Sequence, residues 1–283
     1  MLLFKSLEIT PLPVAKRLAQ VYARFLDRAV PRLRRVGRRN LAMAFPEKSE
    51  REHEAILDGT FRSIGRVLLA FARFPRINRA TVGQWIRYEG YEHFEAVLQR
   101  GNGALFATAH LGTWELSAFS HAIMSAPMGV VVRPLDNQRL DAFVERRRGL
   151  SGNRLIGKRD FARPILQALR RNEAVGILVD QNVVPEAGAF VDFFGTLACS
   201  GTTFAKIAAR SGAGVIPGFA FWSDEEQRHI LHFYPEVVMT GDLTADTAAI
   251  QQAVENAIRE RPDQWLWIHR RWKTRPAGEP PIY

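Results

Sequence analysis

Residues 104–115 read Ala-Leu-Phe-Ala-Thr-Ala-His-Leu-Gly-Thr-Trp-Glu, and this stretch decides the fold. Its first six residues form an uncharged, apolar run with the length of a buried strand. The chain then changes character abruptly, because His110, Gly112 and Glu115 follow at once. The glycine permits a tight turn, and Thr113 is a residue type that caps the start of a helix. The stretch therefore predicts a buried strand, a turn and a helix, an arrangement in which α/β proteins place reactive groups.

His110 and Glu115 are the first candidates for chemistry. A neutral imidazole, with a pKa of about 6.5, can accept a proton near neutral pH. A carboxylate on its other nitrogen fixes the tautomer and stabilises the imidazolium, so we expect Glu115 to fold back onto His110 from the first turn of the helix. The backbone N–H groups of 112–114 would then face an anion or oxyanion. The alternative that this spacing leaves open is a core histidine with Glu115 as a helix cap.

Two further predicted strands end in polar residues. The strand over 129–133 ends at Arg133, and the strand over 174–179 is followed by Asp180 and Gln181. Because the carboxyl ends of parallel strands meet at one edge of a sheet, we expect His110, Arg133 and Asp180 to share a cleft, with the Arg133 strand next to the first. Arg133 suits a phosphate or carboxylate ligand, or it pairs with Asp136 or Glu115. The predicted fold is α/β, with a mixed, largely parallel central sheet flanked by helices and an N-terminal helical extension.

Composition and charge limit the classes of partner. The chain has 283 residues and a net charge of +10, and residues 1–40 carry ten Lys and Arg against only Glu8 and Asp27. Such a basic stripe suits nucleic acid, anionic lipid or an acidic protein. The single cysteine, Cys199, excludes an internal disulfide, and no group of residues has the spacing of a metal site. We therefore expect neither a metal nor an organic cofactor.

The N-terminal region differs in character from the rest of the chain. We divide the sequence into a basic helical segment, residues 1–48, and a larger domain, residues 49–283. Apolar positions such as Val14, Val21 and Phe25 recur at helical spacing over 14–30, with the basic residues mostly off this stripe. Such a helix lies in a membrane interface or packs on its own domain, and the arginines of 32–39 favour the membrane surface. No apolar stretch approaches the ~20 residues of a membrane span. A second helix is predicted over 49–74, with Ser49 and Glu52 as a capping box.

Several blocks of the sequence together resemble one family. His110–Glu115 resembles the H-x-x-x-x-D/E block of the glycerolipid and lipid A acyltransferases. Further blocks resemble the late acyltransferases of lipid A biosynthesis, the lauroyl and myristoyl transferases. They occur in the family's order between roughly residues 36 and 276: Asn40-Leu41 with Ala44-Phe45-Pro46, Val131-Val132-Arg133-Pro134-Leu135-Asp136-Asn137, Asp180-Gln181, Phe190-Val191-Asp192-Phe193-Phe194-Gly195, and Gln264-Trp265-Leu266-Trp267-Ile268-His269-Arg270-Arg271-Trp272-Lys273.

The resemblance implies transfer of a fatty acyl group from an acyl carrier protein to a hydroxyl of a lipid A precursor. The enzyme would act at the lipid surface on the cytoplasmic face of a bacterial inner membrane, with peripheral or monotopic attachment. The prediction of no membrane-spanning segment departs from the family pattern, in which a membrane-spanning N-terminal helix is usual. The implied roles are His110 as base with Glu115 as its partner, and substrate contacts by Arg133, Asn137, Arg148, Asp180 and Gln181. The loop 182–199, with Phe190, Phe193 and Phe194, would form one wall of the acyl-chain site.

Other functions remain open at this point. The alternative acceptors are a lysophospholipid, another glycolipid, or water in a thioesterase. A protein of another class, a non-catalytic basic protein that binds nucleic acid, would need a salt-sensitive affinity that survives loss of His110. The basic aromatic segment 265–273 suits a membrane interface, base stacking or packing of the C-terminus on the core. The compact His-Glu motif favours the acyltransferase, so nucleic acid is not an expected partner.

Overall fold

A central sheet of mostly parallel strands organises the protein. A computed structural model describes residues 2–157 and 161–283, and in these residues seven strands form the sheet in the order β1-β9-β8-β2-β5-β3-β4. All neighbouring pairs are parallel except β8 and β9, which confirms the predicted fold class. The strands are β1 (Ile86–Glu89), β2 (Ala104–Thr108), β3 (Gly129–Val132), β4 (Arg154–Gly157), β5 (Ala174–Leu178), β8 (Gly214–Ser223) and β9 (Arg228–Phe233), and a separate pair is formed by β6 (Gly188–Phe193) and β7 (Thr196–Gly201).

The order of the strands corrects one prediction. β2 lies in the middle of the sheet between β8 and β5, so the strand that ends at Arg133 is not its neighbour. An apolar run shows that a strand is buried but not which strand it pairs with. β3 pairs with β5 only at Gly129 and Val130, although it pairs with β4 along four residues. Beyond Val130 the two strands are unpaired, and this gap opens the sheet at its carboxyl edge.

Helices cover both faces of the sheet. A long helix, α4, begins at the predicted capping box, where Ser49 and Glu52 exchange hydrogen bonds. The N-terminal helical extension is also confirmed, as α1 to α3 pack against α4. The helices are α1 (Leu2–Ile9), α2 (Leu12–Ala29), α3 (Pro31–Ala44), α4 (Glu50–Arg73), α5 (Tyr91–Leu98), α6 (Trp114–Met124), α7 (Gln138–Gly149), α8 (Ala162–Arg170), α9 (Thr203–Ser211) and α10 (Leu243–Glu260).

The buried face of α2 differs from the predicted apolar stripe. Ala15, Ala19 and Ala23 are the buried residues, whereas Val21 and Phe25 are exposed. Small side chains allow α2 to approach α4 closely. Of the larger apolar residues, Leu18 and Tyr22 are partly buried beside this contact, and Val14 is exposed like Val21 and Phe25. In the described residues, no helix combines the length and the apolar character that crossing a membrane requires.

The predicted loop 182–199 contains regular structure. Residues 188–201 form the antiparallel hairpin β6–β7, which turns at Phe194 and Gly195, both with positive φ. Phe193 and Phe194 are buried in a core cluster with Trp265, Trp267 and Trp272, so they do not form a wall of a cavity. The three tryptophans therefore lock the C-terminal segment onto the core.

Candidate active site

The loop between β2 and α6 carries His110 and is fixed by backbone hydrogen bonds. Gly112 has φ +62°, and a Cβ there would lie 1.9 Å from the carbonyl oxygen of Ala220, so only glycine fits. The Gly112 N–H donates to the carbonyl of Gln264 and the Thr113 N–H to that of Ala220, both at 2.9 Å. The expectation that these two amides face an anion is therefore wrong, because neighbouring strands and turns already use them.

Thr113 occupies the N-cap position of α6, as its residue type suggests, but its side chain does not cap the helix. Its hydroxyl instead lies 2.7 Å from Nε2 of buried His229 on β9. This contact connects the start of α6 with the antiparallel end of the sheet, and it further stabilises the His110 loop.

Asp180 is the carboxylate that holds the imidazole. Its Oδ1 lies 2.9 Å from Nδ1 of His110, and its Oδ2 accepts the His110 backbone N–H and the indole N–H of Trp265 at 2.9 and 2.8 Å. Asp180 follows β5 and His110 follows β2, and these two strands are neighbours with Thr108 opposite Leu178. The sheet thus places an acid from 70 residues away beside the histidine, with its side chain only 3% exposed.

The predicted contact between Glu115 and His110 is wrong. Within the described part of the chain, the imidazole has hydrogen bonds to Asp180 and Gln181 and none to Glu115. Glu115 is engaged by Arg148 of α7 in a two-fold interaction, with Nε–Oε2 at 3.0 Å and Nη2–Oε1 at 2.5 Å. A bidentate arginine fork is the strongest partner that a carboxylate finds in a protein, and it turns Glu115 toward α7.

The charges of the site favour protonated His110. Burial by itself would lower the pKa of His110, but attraction and hydrogen bonding to Asp180, with a further contribution from Glu115, raise it above the usual value. Burial likewise opposes ionisation of Asp180, and the contacts to His110 and Trp265 outweigh it and lower the Asp180 pKa. The imidazole can therefore accept a proton and hold it as part of an ion pair.

The second nitrogen of His110 is left for a ligand. With Nδ1 directed at Asp180, Nε2 of a neutral ring carries the lone pair, and it faces the side-chain amide of Gln181 at 3.4 Å. The ring of Trp114 lies edge-on, with its centroid 4.9 Å away. The His110 side chain is 15% exposed, so this nitrogen remains open to a cavity.

A cavity of about 820 Å³ begins at His110 and extends into the domain. Its rim contains Gln181 and Arg133, and it continues past the gap between β3 and β5. The deep end of the cavity is mostly apolar and is lined by buried core residues of α6, the sheet and the adjoining chain. They include Phe106, Phe119, Met128 and Phe233, with Gly176 of β5 and His121 of α6. This size and lining are those of a site for a largely apolar ligand.

The other predicted site residues take different positions. Arg133 lies at the rim, and its guanidinium is 77% exposed, with exposed Asp136 at 3.8 Å. Asn137 caps α7 by accepting the N–H groups of Arg139 and Leu140, and it does not line the cavity. Arg148 lines the cavity, whereas its neighbour Arg147 is buried against Glu8 and the carbonyls of Phe71 and Ala72.

Sequence reasoning missed two features of the site. His121, at the deep end, has its Nδ1 2.9 Å from the Tyr88 hydroxyl, and burial lowers its pKa to about 4. Trp265 packs on the core, one of the three alternatives for segment 265–273, and it also donates to Asp180. His121 follows Trp114 by seven residues, with Ser117 and Ala118 between them at helical spacing, and this is the signal that would have placed His121 on the cavity-facing side of α6. The sequence also predicts a helix over 160–171 with Asp160 as its cap, and Asp160 lies outside the described residues.

The residues that the structure describes contain no group of three or more His, Cys, Asp or Glu side chains placed to hold a metal ion. The polar groups at the mouth of the cavity include the imidazole of His110, the Glu115–Arg148 pair and the amide of Gln181. This set can move a proton and stabilise an anion next to an apolar chain.

Comparison with known proteins identifies relatives along almost the whole chain. A family model described as bacterial lipid A biosynthesis acyltransferase matches residues 1–274. The lipid A biosynthesis lauroyltransferase of Escherichia coli K12 is 30% identical over 276 residues, which cover 96% of this chain and 90% of that protein. The palmitoleoyltransferase of the same strain is 29% identical over 252 residues, 88% and 81% of the two chains. Its myristoyltransferase is 26% identical over 269 residues, 94% and 82% of the two chains.

Proposed function

The chain belongs to the bacterial lipid A biosynthesis acyltransferases, and from this premise we propose that it moves a fatty acyl group from an acyl carrier protein thioester to a hydroxyl of a lipid A precursor. That the protein is an acyltransferase follows from its family. The donor, the residues that carry the reaction and the length of the acyl chain are our proposal. One observation carries it: His110 is held by Asp180 on Nδ1 and offers Nε2 to a large apolar cavity.

In the proposed reaction, His110 acts as a general base. Nε2 takes the proton of the acceptor hydroxyl while the hydroxyl oxygen attacks the thioester carbonyl carbon and forms the new C–O bond. The carbonyl oxygen becomes an oxyanion, which collapses as the C–S bond breaks. The thiolate then recovers the proton from His110, so the imidazole ends as it began. Asp180 fixes the tautomer and balances the imidazolium during these steps.

The remaining polar groups support this chemistry. The side-chain amide of Gln181 is the nearest donor to the reacting nitrogen and is proposed to stabilise the oxyanion. Glu115 acts electrostatically, because its negative charge raises the pKa of His110. Arg148 orients Glu115, and its positive charge lowers the same pKa. Arg133, free to move at the rim, is suited to an anionic group of the acceptor. Asn137 has its side chain committed to a helix cap and is no longer proposed as a ligand.

The cavity also supports a limit on acyl length. We propose that the apolar end of the cavity at Phe106, Met128 and Phe233 sets the longest acyl chain that the site accepts. The named relatives act with lauroyl, palmitoleoyl and myristoyl groups, so relatedness alone leaves the length open.

The surface of the protein suggests where it works. We propose peripheral attachment to the cytoplasmic face of the inner membrane, because exposed apolar residues such as Val14, Val21 and Phe25 share α2 with four Lys and Arg. Basic groups near an anionic leaflet contribute about 1 kcal/mol each. The excess of positive charge would also speed docking of an acidic acyl carrier protein.

The test is acyl transfer by His110→Ala. Purified protein is mixed with acyl carrier protein charged with a twelve-carbon chain and with a lipid A precursor, and the lipid product is followed by mass spectrometry. We expect the variant to lose about 10²- to 10⁴-fold in rate while it stays folded by circular dichroism, with a lower melting temperature because buried Asp180 loses its partner. Unimpaired transfer would rule out His110 as the base. Equal transfer to a lysophospholipid, or free fatty acid formed without any lipid acceptor, would replace the proposed acceptor.

A further inference from the structure

A second cavity lies on the opposite side of the His110 loop. It has a volume of about 180 Å³ and is enclosed by α2, α4 and the beginning of β9, with Trp222 at the end of β8 as one wall. Its lining mixes cations, side-chain amides and apolar groups. The residues are Leu12, Lys16, Gln20, Arg66, Leu69, Gln84, Trp85, Trp222, Gln227, Arg228 and His229.

Two cations of this cavity contact the ring of Trp222 but have no hydrogen-bonded carboxylate among the described residues. The Arg66 guanidinium and the Lys16 ammonium lie 4.8 and 5.8 Å from the ring centroid of Trp222. Arg66 is 18% exposed, and its nearest carboxylate, Asp224, is 3.7 Å away and 87% exposed, so solvent weakens that attraction. Among the hydrogen bonds of residues 2–157 and 161–283, none involves a side-chain nitrogen of Arg66 or Lys16. Arg228, by contrast, is engaged by Glu226 and the carbonyl of Gly83.

The interior of the cavity is therefore electropositive. Burial lowers the pKa of Arg66 because solvent does not compensate its charge. Burial also lowers the pKa of His229 to about 3, and the charges of Arg66 and Lys16 add to that effect. A guanidinium that is removed from water but lacks a hydrogen-bonded anion is a group that gains from an anionic ligand.

We propose that this cavity binds the phosphate group of an anionic membrane phospholipid. Arg66 and Lys16 would meet the phosphate, and the amide of Gln84 is placed to complete its hydrogen bonds. Two apolar side chains, Leu12 and Leu69, line the cavity beside these cations, and Leu12 is 38% exposed. An acyl chain leaving the phosphate would contact these side chains, whereas a soluble anion would not use them. The inference rests on the membrane-surface part of the proposed function.

The experiment measures binding to vesicles by co-sedimentation. Vesicles of phosphatidylcholine alone are compared with vesicles that also contain phosphatidylglycerol, for the full chain and for Arg66→Gln. The matched control is Arg62→Gln, which removes the same charge one turn away from an exposed position on α4. We expect Arg66→Gln to weaken binding to the phosphatidylglycerol vesicles by about tenfold, the control by less than twofold, and Arg66→Lys to retain most of the affinity.

Each other outcome overturns the proposal. Equal losses for Arg66→Gln and Arg62→Gln would mean that only general surface charge binds the membrane. Stabilisation of the protein by inorganic phosphate that Arg66→Gln abolishes, with no difference on vesicles, would mean a site for a soluble anion. A defect confined to binding of acyl carrier protein would mean a protein docking site. The measurement needs no acyl donor, and His110→Ala is expected to bind vesicles as the unchanged chain does, so the two proposals fail separately.

Discussion

The two ends of the active-site cavity each hold a histidine, and the two have opposite properties. His110, at the mouth, has the Asp180 carboxylate on Nδ1 and a pKa raised above its usual value. His121, at the deep end, has the Tyr88 hydroxyl on Nδ1 and a pKa lowered to about 4. Both belong to one unit, β2–α6, and both line the same cavity.

The difference shows that a partner, and not burial, decides the role of a histidine here. Desolvation disfavours the imidazolium at both positions. Only a charged carboxylate on Nδ1 reverses that effect, so His110 can accept and return a proton while His121 stays neutral among aromatic rings. The cavity thus has a reactive end and an inert end, as an enzyme that holds an apolar chain beside a base requires.

The largest effect is expected when the mouth is made to resemble the deep end by Asp180→Asn. An asparagine amide facing Nδ1 would place the ring proton on Nε2, and the base would lose its lone pair toward the substrate. We expect kcat to fall by about 10²- to 10⁴-fold. His110 works as a base only when neutral, so activity of the unchanged enzyme falls as pH drops through its raised pKa. Without Asp180 burial lowers that pKa, and the acid limb of the residual activity shifts to lower pH.

Asp246→Asn is the matched control for this change. Asp246 is also a buried carboxylate, but it accepts hydrogen bonds from Thr240 and Gly241 at the start of α10 and does not line the cavity. The Asp246→Asn variant should have a lower melting temperature and an unchanged pH profile of acyl transfer. A pH profile for Asp180→Asn that matches this control would remove Asp180 from the mechanism.

The next effect concerns the deep end alone, and Gly176→Leu tests it. Gly176 lies opposite Phe106 in the register of β5 and β2, and a Cβ there would meet only the terminal methyl of Met128, at 2.9 Å. A leucine would fill the floor of the slot. We expect kcat/KM for a twelve-carbon donor to fall by about tenfold to a hundredfold, while a donor with eight carbons keeps most of its rate. A loss that is equal for all chain lengths, measured in competition between donors, would refute the slot.

Sequence reasoning succeeded where a feature is local and failed where it depends on strand order. The buried run of β2, the capping box of Ser49 and Glu52, and the position of Asp180 after a strand are all properties of short segments. The partner of His110 is not, because it depends on β5 lying next to β2. Glu115 is close to His110 in sequence, yet the fork of Arg148 from α7 holds it elsewhere.

Dependence on tertiary packing also explains two wrong predictions, the buried face of α2 and the position of Phe193 and Phe194. The face that α2 buries is set by the space against α4, which selects Ala15, Ala19 and Ala23 over the larger apolar residues. Phe193 ends β6 and Phe194 lies in the hairpin turn, and the pairing with β7 could not be inferred from an apolar loop. Both side chains pack beneath α10 instead of lining the cavity. Periodicity shows that residues are apolar, and only the assembled layers decide what they touch.

A smaller effect is expected from the Glu115–Arg148 pair at the mouth. Arg148→Gln leaves the Glu115 charge unopposed, which raises the pKa of His110 further and reduces its neutral fraction at neutral pH. We expect the acid limb of kcat/KM to move to higher pH and the rate at pH 7 to fall by only about twofold to fivefold, since the Arg148 charge is the weakest of the named influences on that pKa. Glu115→Gln should move the limb in the opposite direction. In the double variant the two shifts should largely cancel, and additive losses would show that each residue contacts substrate separately.

The smallest effect separates the two histidines by stability instead of activity. The folded-state pKa of His121 is depressed to about 4, so the unfolded chain binds its proton first and stability is lost as pH falls below about 6.5. His110 has a raised pKa, so its contribution is complete below about 6.5 and is lost as pH rises through the folded value. The loss of unfolding free energy between pH 7.5 and pH 5, measured by chemical denaturation, should therefore be smaller in His121→Gln by about 1 to 2 kcal/mol. The same loss should be larger in His110→Gln. Changes of the same sign in both variants would contradict the assignment of opposite charge states, because only a carboxylate partner makes a buried histidine stabilise the protein in acid.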